Sequence, residues 1–239
     1  DSSGLIYYKE SDYKITRADY DIIKVLNKEK WFGSSIVMGH SSPVSNGLLS
    51  NQPVVSDGNF LIHDGIIVNE QEILKAHNIN QPKANSELII GITLRHFEEG
   101  GDIVGLPQRI LSLCEGTISS VLALPSLGKV LLFSNCGNLY VGKNKDTIYF
   151  ASERYPLKCI ECHEIVQIWQ EGIIIDIPKT EKIEVIDDKQ IRKDSFGHTF
   201  KNIAAEEAML QYHQPNIKRC TKCLLPETMP FISFDSEGV

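Results

Sequence analysis

From residue 117 to residue 177 the sequence reads as a succession of short strands, at 117–124, 129–134, 139–142, 147–151, 164–169 and 172–177. Helical patterns come before it. One runs from Glu70 to about His77, and a second is opened by Ala84-Asn85-Ser86-Glu87, carries Leu88, Ile89 and Ile92 inward and ends at Gly100-Gly101. A third covers 106–113, with Leu106, Ile110 and Leu113 spaced for one face. Helices followed by an antiparallel run suggest a layered α+β domain. With 239 residues, 42% of them hydrophobic, the chain can bury one large domain, or a domain plus a tail.

The N-terminal part supplies more elements. Ser3-Gly4-Leu5-Ile6-Tyr7-Tyr8 reads as a first strand, small residues leading into β-formers. Thr16-Arg17-Ala18-Asp19 reads as a capping box, predicting a helix through about Trp31 with Ile22, Ile23 and Leu26 buried. A strand is predicted over 34–39, followed by Gly39-His40-Ser41-Ser42. Phe60-Leu61-Ile62 opens as a buried strand and meets a polar break at His63-Asp64-Gly65. The chain then passes through Ile66, Ile67 and Val68 to Asn69, which with Glu72 reads as a helix N-cap and capping box. A strand that ends in a polar residue and a glycine before a helix exposes side chains and N–H groups at a sheet edge, and oxyanion-stabilising sites are often built that way.

Composition excludes some classes of function. A net charge of -7 and a pI near 5.5 lack the basic footprint of a nucleic-acid binder. No apolar run approaches the roughly 18 residues of a membrane span, and no signal peptide is visible, so a cytoplasmic protein is expected. In that setting the six cysteines (Cys114, Cys136, Cys159, Cys162, Cys220 and Cys223) read as reduced core residues or metal ligands rather than as a disulfide framework.

His63-Asp64-Gly65-Ile66-Ile67-Val68-Asn69 resembles the "HNGIIEN" stretch of class II glutamine amidotransferases, the glutaminase domains of glucosamine-6-phosphate synthase and asparagine synthetase. Ser3-Gly4-Leu5-Ile6-Tyr7 resembles the opening "CGIVGY", Asn51-Gln52-Pro53 the "NaQP" before the next strand, and Ser152–Leu157 the "aSe..aL" after a late strand. The resemblance implies a four-layer α/β/β/α sandwich, two antiparallel sheets flanked by helices, of the amino-terminal-nucleophile (Ntn) hydrolase type. It also implies site positions. The nucleophile position falls on Ser3, where the family has a cysteine whose free α-amine is the base; the competing reading of Ser3 is a small residue starting a strand. The oxyanion position falls on Asp64 and Gly65, with Asp for the family's Asn. Substrate-binding positions fall on His40, Ser41, Ser42 and Asn85. The family's carboxylate-binding arginine meets Ser41 or Ser42, and its ammonium-binding aspartate meets Asn85, which also reads as an N-cap. The implied ligand is glutamine or an altered amino-acid-like molecule. The substitutions predict a domain without glutaminase turnover, a scaffold or ammonia-handling module; the alternative is an active glutamine-hydrolysing enzyme with an unusual nucleophile.

Residues 204–218 resemble the segment joining the glutaminase domain to the rest of glucosamine-6-phosphate synthase. The expected division is thus a sandwich over 1–200, a linker helix over 201–218 and a further domain from 219. Arg219-Cys220-Thr221-Lys222-Cys223 through Val239 resembles the opening of N-acetyl sugar amidotransferases, ATP-pyrophosphatase enzymes of surface-sugar biosynthesis. That resemblance implies a downstream synthetase domain as partner, with ATP bound there and no cofactor in the sandwich. Cys220 and Cys223 supply two of the four ligands of a tetrahedral zinc, their partners coming from a downstream part or from Cys159 and Cys162. Cys159-Ile160-Glu161-Cys162-His163 also spells a c-type haem attachment, which the lack of an export signal disfavours. Monomer and homodimer stay open.

Overall fold

A computed structural model describes residues 2–42, 52–79, 86–188 and 217–239. The chain begins with a hairpin of β1 (Ser2–Lys9) and β2 (Asp12–Ala18), joined by Glu10 and Ser11. Both turn residues have positive φ, 55° and 70°, the conformation whose twist matches two paired strands. This hairpin overturns the capping box expected at Thr16. Alternation over Tyr13, Ile15 and the flanking polar residues makes a strand, Thr16 pairs with Leu5, and its hydroxyl donates to Glu29 Oε1 at 2.9 Å. The helix starts later, as α1 (Ile22–Lys28), capped by the Asp21 carboxylate accepting from Ile23 N. It buries Val25 and leaves Ile23 62% exposed, so the expected face is rotated.

The next elements are β3 (Ile36–Ser42), β4 (Val54–Ser56), β5 (Asn59–Ile67), α2 (Glu70–His77), α3 (Glu87–Glu98) and α4 (Leu106–Leu113). They are followed by β6 (Gly116–Leu124), β7 (Lys129–Ser134), β8 (Tyr140–Asn144), β9 (Thr147–Ala151), α5 (Arg154–Cys159), β10 (His163–Gln167), β11 (Glu171–Asp176) and β12 (Ile183–Asp188). The helices at 70–77 and 106–113 match their sequence patterns. Asn69 does hold the N-cap position of α2, but its side chain makes no cap bond. Its amide instead donates to Leu113 O and accepts from Glu115 N, both at 2.9 Å, tying α2 to the start of β6.

Two sheets stack, and helices cover their outer faces. The first has the order β12-β2-β1-β3 and the second β11-β7-β6-β5-β4. Ile6, Tyr13, Ile15 and Met38 of the first sheet meet Phe60, Val121, Ala123, Val130 and Leu132 of the second in one buried layer. The alternate residues Leu61, Leu122, Leu131 and Phe133 pack on the far side against Leu88, Ile89, Ile92, Leu106 and Ile110 of α3 and α4. On the outside of the first sheet Leu5, Tyr7 and Ala18 pack on Val25 of α1. This is an α+β, four-layer α/β/β/α sandwich. One expectation needs correction: β12 joins β2 in parallel, so the first sheet is not wholly antiparallel. The bidentate pair of Arg17 with Asp187 (2.6 and 2.9 Å) lies along that junction. A third, small sheet, β10-β8-β9, sits beside α5. Among the described residues no helix is long and apolar enough to cross a membrane.

Glycine is required where β5 meets β6. Gly65 has φ +142°, and a Cβ there would stand 2.0 Å from Thr117 O on the paired strand. Gly65→Ala is therefore expected to lower the unfolding free energy by about 1–3 kcal/mol, read from urea denaturation. Gly39→Ala, where a Cβ would meet only Gly4 O at 3.9 Å, should stay within about 0.5 kcal/mol of the parent.

Candidate functional site

The layer between the sheets is apolar along most of its length and polar at one end. On β5 the inward positions run Phe60, Ile62, Asp64; on β6 they run Ala123, Val121, Ser119; on β7 they run Val130, Leu132, Ser134. Asp64 stands opposite Ser119, and Ser119 opposite Ser134, so the polar residues form a stripe in register. The Ser119 and Ser134 hydroxyls are 2.9 Å apart, and Cys136 Sγ lies 3.3 Å from Ser119 Oγ. Across the layer, β3 alternation carries Ile36, Met38 and His40 inward, with His40 paired to Gly4 of β1.

Gln52 and Pro53 close this end. A Cβ on Gly4 would stand 2.1 Å from Gln52 O and 2.4 Å from Pro53 Cδ, so only glycine admits that approach. The Gln52 side chain continues the β4–β5 ladder, with Nε2 donating to His63 O at 2.5 Å and Oε1 accepting from His63 N at 2.6 Å. His63 points to the helix side, where Nδ1 lies 2.9 Å from Ser120 Oγ. Burial pushes its pKa down to about 4, the nearby Asp64 charge opposing the shift and His40 adding to it. Burial also lowers the pKa of His40, again opposed by Asp64. His40 Nδ1 is buried and has no hydrogen-bond partner among the described residues.

The positions singled out in the sequence divide by face. Asp64, Gly65 and His40 come together at the polar end, with Ser42 at the end of β3 paired to Ser2. Ser41 is exposed and belongs to the opposite face of β3, with Val37 and Gly39. Ser3 also faces away. It shares the α1 side with Leu5 and Tyr7, is fully buried, and its hydroxyl donates to Tyr20 O at 2.5 Å. Asn85 and most of the 201–218 segment lie outside the described residues. Residues the sequence reading left out of the site are His63, Gln52, Ser119, Ser134 and Cys136. The signal for the serines was a hydroxyl interrupting an apolar strand, which gains meaning only once the strand register is known.

The cysteine pairs stay apart. Cys220 is buried and Cys223 exposed, and the Cys223 N–H donates to Cys220 Sγ at 3.4 Å. Backbone N–H groups of Cys223 and Lys222 hold the Cys220 thiol below its ordinary pKa. Among the described residues no three His, Cys, Asp or Glu side chains converge as a metal site, so Cys159 and Cys162 do not complete a four-thiolate set with this pair.

No family model and no curated protein sequence matches the chain. Among solved structures it is similar to a glutamine phosphoribosylpyrophosphate amidotransferase from B. subtilis, complexed with ADP and GMP. The identity is 16% over 73% of this chain and 41% of that one, with a TM-score of 0.56. It is also similar to a structure described as the allosteric regulatory enzyme of purine biosynthesis, at 16% identity over 74% of this chain and 41% of that one, with a TM-score of 0.57. The chain thus spans about two fifths of the length of each. At this identity the likeness is one of fold.

The buried His63 makes stability depend on pH. Its pKa is about 6.5 when unfolded and about 4 when folded. Between these values the unfolded chain binds a proton that the folded chain does not. Stability is therefore full above about pH 6.5 and falls by about 3 kcal/mol as pH drops through the window to about 4. His63→Gln should flatten that fall when denaturation midpoints are compared across the window.

Proposed function

We propose that the sandwich is a class II glutamine amidotransferase-type domain that does not turn over glutamine, serving as a scaffold or ammonia-handling module of an N-acetyl sugar amidotransferase in surface-polysaccharide biosynthesis. The observation that carries this reading is the orientation of Ser3. Its hydroxyl is buried on the α1 side, away from His40 and Asp64, and is committed to a backbone carbonyl. Its nitrogen is a peptide amide within β1, which is paired on both sides, so it offers no α-amine as base.

Charge supports the same reading. At the oxyanion position a carboxylate, Asp64, would face developing negative charge where an amide donor is needed, and loss of one such donor alone costs about 10²–10³ in rate. Ser41 and Ser42 bring no guanidinium to pair an amino-acid carboxylate. The sugar amidotransferase assignment rests on the Arg219–Val239 resemblance. On that reading ATP belongs to a downstream domain, and Cys220 and Cys223 give half of a tetrahedral zinc site whose other ligands lie there.

A second reading, an active glutamine-hydrolysing enzyme, is favoured by one observation. Cys136 places a thiol beside the Ser119–Ser134 hydroxyls at the polar end of the inter-sheet layer. Ammonia release from glutamine separates the two. The proposal expects release at the no-enzyme rate and no covalent labelling by a glutamine-mimicking electrophile, and Asp64→Asn alone should not restore turnover. Ammonia release together with label mapped by mass to Cys136 would establish the second reading.

A further inference from the structure

The segment 217–239 folds back onto the sandwich. Lys158 Nζ of α5 donates to Glu227 Oε2 at 2.8 Å, Lys218 N donates to Glu227 Oε1 at 3.0 Å, and Phe231 packs edge-on against Trp169 with ring centroids 6.3 Å apart. Between this segment, β8 and α5 lies a cavity of about 190 Å³. An engineered cavity of about 150 Å³ holds benzene, so the space suits one small group.

The wall of this cavity has an unusual balance. It carries Arg154, Lys158 and Lys218 against Glu153 and Glu227, an excess of positive charge in a chain whose net charge is -7. Glu227 is fully engaged, one carboxylate oxygen by Lys158 and the other by the Lys218 amide. Among the described residues neither the Arg154 nor the Lys218 side chain forms a salt bridge. The third feature is Tyr140, 8% exposed and part of the same wall. Its hydroxyl oxygen accepts from Gln167 Nε2 at 3.0 Å. Among the described residues the Tyr140 hydroxyl donates no hydrogen bond, which leaves a donor free toward the cavity.

We infer that this cavity binds a phosphate-class oxyanion, received by the Tyr140 hydroxyl, the Arg154 guanidinium and the Lys218 ammonium. All three groups can donate, and the guanidinium and the ammonium cannot accept. They come from three separate segments, β8, α5 and the stretch before Cys220. That arrangement suits a tetrahedral anion with three free oxygens better than a carboxylate with two, which favours one bidentate fork. A ligand held this way joins the 217–239 segment to the sandwich. The inference is independent of glutamine chemistry and stands or falls apart from it.

Calorimetric titration of the 239-residue chain with inorganic phosphate, glycerol phosphate and acetate tests it. Saturable binding of inorganic phosphate assigns the free anion; binding of glycerol phosphate alone assigns the phosphate end of a small molecule. In either case Arg154→Gln, Lys218→Gln and Tyr140→Phe should each weaken binding about tenfold or more. Lys222→Gln, at an exposed lysine that does not line the cavity, should leave it unchanged. The inference is overturned if neither phosphate binds saturably, if acetate binds as well as phosphate, or if Arg154→Gln and Lys218→Gln leave the affinity unmoved.

Discussion

The constraint on which the rest depends is that the second sheet has apolar side chains on both faces. Along β6 and β7, Val121, Ala123, Val130 and Leu132 point one way, while Leu122, Leu124, Leu131 and Phe133 point the other. A sheet apolar on one face needs one cover; this one needs two. The helices α2, α3 and α4 supply the first cover and the β1–β2–β3 sheet supplies the second. At about 25 cal/mol per Å² of buried apolar area, the two layers are the largest favourable term available to the chain. The first sheet is then left with its own outer face, Leu5, Tyr7 and Ala18, and α1 covers it. Four layers follow from one doubly apolar sheet.

The same alternation creates the site. Wherever an inward position is polar, the inter-sheet layer cannot be sealed by hydrocarbon, and Asp64, Ser119 and Ser134 put three such positions side by side. The stripe is paired internally through hydroxyls, and Asp64 lies at its open end. His40, on the facing sheet, loses solvent without Nδ1 gaining a partner among the described residues. A buried imidazole beside a carboxylate is subject to opposed pulls, and here burial outweighs the charge. The polar end is thus a product of packing, set where the two sheets stop supplying apolar residues to each other.

Much of this was legible in local pattern and some of it was not. The helices at 70–77 and 106–113 carried their own periodicity, and the short strands after residue 116 carried theirs. Thr16 was misread because Thr-Arg-Ala-Asp has the letters of a capping box. The hairpin turn at Glu10-Ser11, formed by two residues without the usual glycine, left no mark in the sequence. Asn69 was placed correctly as the start of α2, yet its amide serves a contact 44 residues away, which no local pattern encodes. The parallel addition of β12 to β2 is non-local in the same sense. At the site, Asp64, Gly65 and His40 were visible, whereas the partnership of Ser119 with Ser134 depended on a strand register the sequence does not print. The orientation of Ser3 depended on a parity that only the packing of Leu5 and Ile6 on opposite faces decides.

The residues that hold the framework are separable from those that would do chemistry. Gly65 is required by the approach of Thr117 O, and Gly4 by Gln52 O and Pro53, whatever reaction is or is not performed nearby. Gln52 spends both ends of its amide on the His63 backbone, extending a ladder rather than meeting a ligand. None of these contacts uses the side chain of Ser3 or Asp64. The sandwich can therefore keep its motif glycines and its Gln-Pro turn under stability constraints alone, while the positions that face solvent or the α1 layer change character. For that reason likeness at Gly4, Gln52 and Gly65 speaks to fold, and reaction chemistry has to be argued from Ser3, His40, Asp64 and Cys136.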